Sequence, residues 1–198
     1  PSAVIEGFLH LLETVVSQLG HRVVSFVPHF TSIVLALCNV AADAKSRREI
    51  ISNDDSILQD NYNHLEGRFS AIRSLCYQRL AEIFGQFATS VDFQSFACPM
   101  WEALDRSINF LPEMVVKSEK APAILVLLET MSTDWRLIEM VGMYDTAVQS
   151  VVKCIAESSL LPVMNSSLSF VENLLTVHEP SSSASSERTG LRLIKKYI

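Results

Sequence analysis

His10 and Glu13 stand three residues apart, a spacing that puts both on one face of a helix and could make half of a metal or acid–base site. No second carboxylate, histidine or cysteine falls where it would complete the set, so the pair reads as surface helix. Asp54-Asp55 has the look of the paired carboxylates that hold magnesium in helical prenyl-transfer enzymes. Those enzymes need a facing acidic cluster, which this chain lacks, so a solvated turn is the better reading. The six glycines are isolated and form no phosphate-binding loop, and no serine sits in a Gly-x-Ser-x-Gly elbow. The sequence therefore offers no catalytic, cofactor-binding or metal-ligating residue, and a protein that is not an enzyme is expected.

Two basic clusters remain. Lys45, Arg47 and Arg48 are the densest group in the body of the chain, and Arg192, Lys195 and Lys196 lie close to its end. These six are the candidate phosphate or RNA contacts; such contacts would act by charge and carry no sequence information. Plain solvation of a loop or a helix face would look the same. Trp101 and Trp135 are the aromatics large enough to anchor a partner, and both read as core.

Composition narrows the classes. With 198 residues, 48% hydrophobic and 19% charged, the chain can build a sizeable core and is not a disordered tail. Its net charge of -6 and pI near 5.4 argue against a module whose main task is gripping nucleic-acid backbone. Cys38, Cys76, Cys98 and Cys154 are far apart with no metal-ligand spacing, and read as buried reduced thiols of a cytosolic or nuclear protein. Val23–Ala42 is uncharged over the length of a membrane span, but Ser25, His29, Ser32 and Asn39 mark one polar helical stripe. A lipid-facing helix has no use for that stripe, so no membrane partner is expected.

The elements that must carry these residues are all helical. Val4, Phe8, Leu11, Leu12, Val15 and Leu19 recur at helical spacing until Gly20 closes the helix. A second helix begins near Pro28 and ends by Asp43, and residues 43–62 read as a long polar loop. Phe69 to Phe87 gives a third apolar stripe, with Arg79, Glu82 and Gln86 facing outward, and Phe93 to Leu111 a fourth, ended or kinked at Pro112. Pro122, Thr133 or Asp134, and Pro162 mark further helix starts. A Ser-rich linker occupies 179–189, and 190–198 reads as the start of one more helix in a chain that is a piece of a longer protein.

These helices pair. First helices starting near residues 2, 69, 121 and 163, with the long loop discounted, approach the ~40–47-residue period of HEAT and armadillo units. The expected architecture for 1–178 is an all-α, HEAT/armadillo-like α-solenoid of stacked antiparallel helix pairs, about three and a half repeats long.

The stretch from Ile72 through Arg73, Leu75, Leu80 and Ala81 to Phe84 resembles the first helix of a HEAT repeat, with its early arginine. Together with Phe26-Val27-Pro28-His29-Phe30 and the continuation to Phe87, Asp92 and Phe93, it resembles the family of giant HEAT-repeat components of the small-subunit processome. That resemblance implies a nucleolar or nuclear, non-catalytic scaffold supporting pre-ribosomal RNA processing and small-subunit biogenesis. It implies other processome proteins as partners, with small nucleolar RNA and pre-ribosomal RNA in the same particle, and neither cofactor nor small-molecule substrate. The alternatives are another HEAT-repeat scaffold or nuclear transport receptor, and a helical enzyme with an unrecognised site.

Overall fold

The computed structural model describes residues 2–49, 56–116, 119–178 and 189–197, with side chains described except at 2, 42–49 and 56–66. Every regular element among these residues is helical. Helix α1 (Ser2–Leu19) stops at Gly20, whose φ of 51° suits a residue without a Cβ and turns the chain into a 3-10 segment, Gly20–Phe26. Then come α2 (Val27–Glu49), α3 (Ser56–Phe87), α4 (Ala97–Asn109) and α5 (Leu111–Val116). Helices α6 (Ala123–Met131), α7 (Trp135–Gly142), α8 (Asp145–Glu157), α9 (Leu161–Thr176) and α10 (Thr189–Lys195) follow.

Local chemistry accounts for most of these boundaries. Pro122 caps α6, and Asp134 caps α7 by accepting a 2.9 Å bond from the Arg136 amide. Pro162 sits in the first turn of α9, and Pro112 in that of α5, just after Phe110 breaks the line of α4.

The long loop expected over 43–62 is corrected at both ends. Residues 43–49 continue α2, and 56–62 open α3. The physical reason is composition: this stretch is polar and aperiodic, but Ala, Lys, Arg, Glu, Gln and Leu all tolerate helix well without a buried face. Asp54, Asp55 and the rest of 50–55 lie outside the described residues, as do 179–188 of the Ser-rich segment.

Paired contacts fix the directions of the helices. Glu13 meets Arg79, and the His21 ring meets Phe87 edge-on at 6.0 Å, so α1 and α3 run parallel. Gln78 lies beside Ala121–Ala123 and Gly85 beside Thr130, so α6 runs parallel to α3 as well. Between the layers the sense reverses. The Arg73 side chain bonds the Ala41 carbonyl, Tyr77 bonds Ser107 at 2.7 Å, and Phe84 stacks edge-on against Phe93 at 4.8 Å.

One layer is therefore the row α1, α3, α6, α9, and the other is α2, α4–α5, α7–α8, α10. The molecule is an all-α solenoid of stacked antiparallel pairs. Its second pair starts at Ser56 rather than near residue 69, because α3 extends well before its apolar face begins.

The core is the seam between the rows. Leu9, Val34, Leu80, Phe84, Phe87, Met100, Leu104, Leu125, Val151 and Phe170 are fully buried along it. The stretch Ala3–Ala41 is long and apolar enough, by composition alone, to cross a membrane. It is nevertheless bent at Gly20 and sets Leu9, Leu12, Val16, Val27, Val34 and Cys38 into this core, while Ser25, His29 and Ser32 face outward.

Candidate interaction surface

Arg79 is the most deeply placed charge among the described residues, only 4% exposed. It was expected on the outer face of α3; α1 covers that face instead. Its Nη2 donates to Glu82 Oε1 at 2.8 Å, and its Nη1 lies 2.5 Å from Glu13 Oε2. The latter is a charge contact without hydrogen-bond alignment, and Nε has no protein partner. The guanidinium holds the Glu13 carboxyl below its ordinary value, whereas burial pushes Glu82 up against the same cation's pull. His10, mostly exposed, stands 3.5 Å from Glu13. The pair that suggested half a catalytic site is thus the rim of a structural ion cluster joining two successive units.

The six basic candidates separate. Lys45, Arg47 and Arg48 fall on the last turns of α2, not in a loop, and their side chains lie outside the described residues. Helix α10 carries Arg192 and Lys195, and Lys196 follows its last residue; all three are exposed. Lys196 is tied to Asp145 at the start of α8, a bond that raises its pKa, and its ammonium stands 5.6 Å from the centre of the Tyr197 ring. Lys196 therefore serves to pin α10 to α8. Among the described residues no group of three His, Cys, Asp or Glu is placed to hold a metal.

Trp101 is core, as expected: its indole donates to the Met140 carbonyl at 3.1 Å, and its ring stacks on Tyr144 at 5.0 Å. Trp135 is half-buried beneath the Arg136 guanidinium. Cys38, Cys76 and Cys154 are buried thiols, but Cys98 is exposed, contrary to expectation, because it lies on the outer face of the first turn of α4.

Shallow recesses open among the described residues. One of 520 Å³ lies over Trp101 and Tyr144, rimmed by Cys98, Glu102, Asp105 and Met143. The other two adjoin along α3 and share Ser74, Tyr77 and Met114. The first of these, 310 Å³, lies between α3 and α4 and takes in Arg73, Arg106, Ser107 and Phe110. The second, 410 Å³, reaches Lys120, Pro122 and Val126 at the start of α6. Tyr77 contributes a hydroxyl whose pKa burial raises to about 12, so it stays protonated. No linear spacing marks this groove, because its residues come from four helices, α3 to α6. Among the described residues, none of these three recesses assembles a nucleophile, base and orienting group.

A family model described as U3 small nucleolar RNA-associated protein 20, N-terminal, matches residues 2–198. The chain belongs to this family. Membership places it among the ribosome-biogenesis proteins of the small-subunit processome, a family of structural components, and agrees with the resemblance carried by Phe26–Phe30 and by Ile72 to Phe93. Comparison with curated proteins and with solved structures gives no match.

Proposed function

We propose that this chain is a non-catalytic scaffold segment of the small-subunit processome, acting in the nucleolus to support pre-ribosomal RNA processing. The observation that carries the reading is the family match over 2–198 on a chain folded as stacked helix pairs. A solenoid presents a long surface at fixed spacing, so several weak contacts add through effective concentration rather than through one deep pocket. Its partners would be other processome proteins, with small nucleolar RNA and pre-ribosomal RNA held in the same particle. Arg192, Lys195 and Lys196, with Lys45, Arg47 and Arg48, are the basic residues proposed to meet phosphate; Lys196 would have to leave Asp145 to do so.

Gentle purification of the tagged protein from nuclear extract tests the reading. Co-purification of small nucleolar RNA with unprocessed ribosomal RNA is the expected result. Recovery of transport cargo or cytoplasmic partners, without those RNAs, would overturn it while leaving the solenoid intact.

A further inference from the structure

The first helix pair leaves an apolar face open. On α1, Val4 and Leu11 stand about two turns apart and are 76% and 61% exposed. Glu13 lies two residues on from Leu11, on the opposite side of the helix, and meets Arg79 of α3, so this stripe looks away from α3. Phe26, Ile33 and Val40 repeat the spacing through the 3-10 segment and α2, and are 57%, 43% and 58% exposed. The Phe26 ring stacks on that of Phe30, one turn along the same stripe, at 6.4 Å. None of these positions carries a charge. Both stripes lie on the side of the pair that α3 and α4 do not cover, and only 33% of the most apolar part of Ala3–Ala41 is buried. Contiguous apolar surface of this kind marks a contact.

We propose that this face is a seam of the stack, closed by a further antiparallel helix pair of the same polypeptide from outside residues 1–198. Continuity with the two rows decides the occupant. Helix α1 lies parallel beside α3, and α2 lies beside α4, so a pair set against Leu11 and Ile33 extends both rows by one unit. The unit that ends a solenoid needs a polar outer face, which this one lacks. Its freedom from charge is also that of a permanent seam, since surfaces made for transient partners are more polar. A second copy joined head to tail fits poorly. Its other end carries Leu161, Leu168 and Leu175 on α9, but the accompanying α10 has only 7 residues. That is about 10 Å of helix against the roughly 21 Å from Phe26 to Val40. A bilayer fits no better, because Leu9, Leu12 and Val34 already face the core and Ser25, His29 and Ser32 face outward. The seam is independent of any role in ribosome assembly.

Photo-crosslinking in the natural polypeptide, expressed in full and purified, tests the proposal. A benzophenone amino acid replaces Ile33 in one variant, Leu11 in a second and His29, on the outward polar stripe, in a third. All three positions are exposed, and unchanged thermal melting verifies that each variant folds. After irradiation and digestion, mass spectrometry locates the links. Positions 33 and 11 are expected to join segments of the same polypeptide outside 1–198, in which apolar residues recur at helical spacing. That link is expected to be lost at position 29. The proposal fails if positions 33 and 11 link to a second copy, to another protein or to added lipid vesicles. It fails equally if they give no link, or if position 29 links to the same segments as they do.

Discussion

Arg79 of α3 reaches back to Glu13 of α1, joining the first two units through a cation that is 4% exposed and a carboxylate that is nearly half exposed. The two partners thus stand in very different surroundings, and deleting one is not equivalent to deleting the other.

Removing the carboxylates by Glu13→Ala with Glu82→Ala strands a guanidinium in the core seam without a counter-charge. Arg79→Met leaves two carboxylates that water can still reach and fills the space with an apolar chain. The methionine variant is expected to change stability by no more than about 1 kcal/mol, in either direction. The double variant should cost several times as much. Urea unfolding of both settles the order, and equal losses would mean that Arg79 acts through packing alone.

Acid should act on this cluster in two stages of opposite sign. Glu82 titrates above its ordinary 4.5 because burial penalises its charged form, so lowering pH through that range relieves a cost and slightly favours the folded state. Glu13 titrates below 4.5, so its contribution is complete above that value and is lost as pH falls through its depressed pKa. Melting temperature followed from pH 6 to 3 should flatten or rise a little and then drop. Glu13→Gln should remove part of the drop, and Glu82→Gln the earlier gain.

Gly190 is the tightest contact of the last pair. A Cβ there would lie 2.0 Å from the Leu174 carbonyl oxygen, whereas one at Gly7 would meet nothing within 4 Å. Gly190→Ala should therefore lift α10 from α9 and expose Leu193 and Ile194, which are buried there. Faster amide exchange confined to α10 and its contacts on α7–α9 is the expected signature. Gly7→Ala should be neutral or stabilise by up to about 1 kcal/mol through helix propensity.

The four thiols should divide one against three. Cys38 is held well above its ordinary 9.0 by its contact with Cys76 and by burial, and burial pushes Cys154 up to about 12. Cys98 is exposed. A colorimetric thiol reagent should label one cysteine quickly in the native protein and the rest only on unfolding. Loss of the fast phase in Cys98→Ser would identify it.

Helix boundaries were legible wherever a residue does something local: Gly20 takes a positive φ and ends α1, Asp134 caps, and Pro122 and Pro162 suit a first turn. The polar run after Ala42 was not, because a run of good helix formers without an apolar period leaves no helical signal in the sequence. Arg79 escaped for a related reason. Periodicity tells which face of α3 is apolar, but not that α1 would cover a charge beside it and supply its counter-ion. The groove was equally hidden, since Arg73 of α3, Arg106 of α4 and Lys120 just before α6 are brought together only by the stacking of those elements.

The parallel rows have a mechanical consequence. In a stack whose main contacts link each helix pair to the next, a pull on the ends is shared as small rotations at every junction rather than concentrated in one core. A chain built this way would lengthen and recoil as a leaf spring does, through those small rotations. A component of that kind can stay attached to an assembly that changes shape around it.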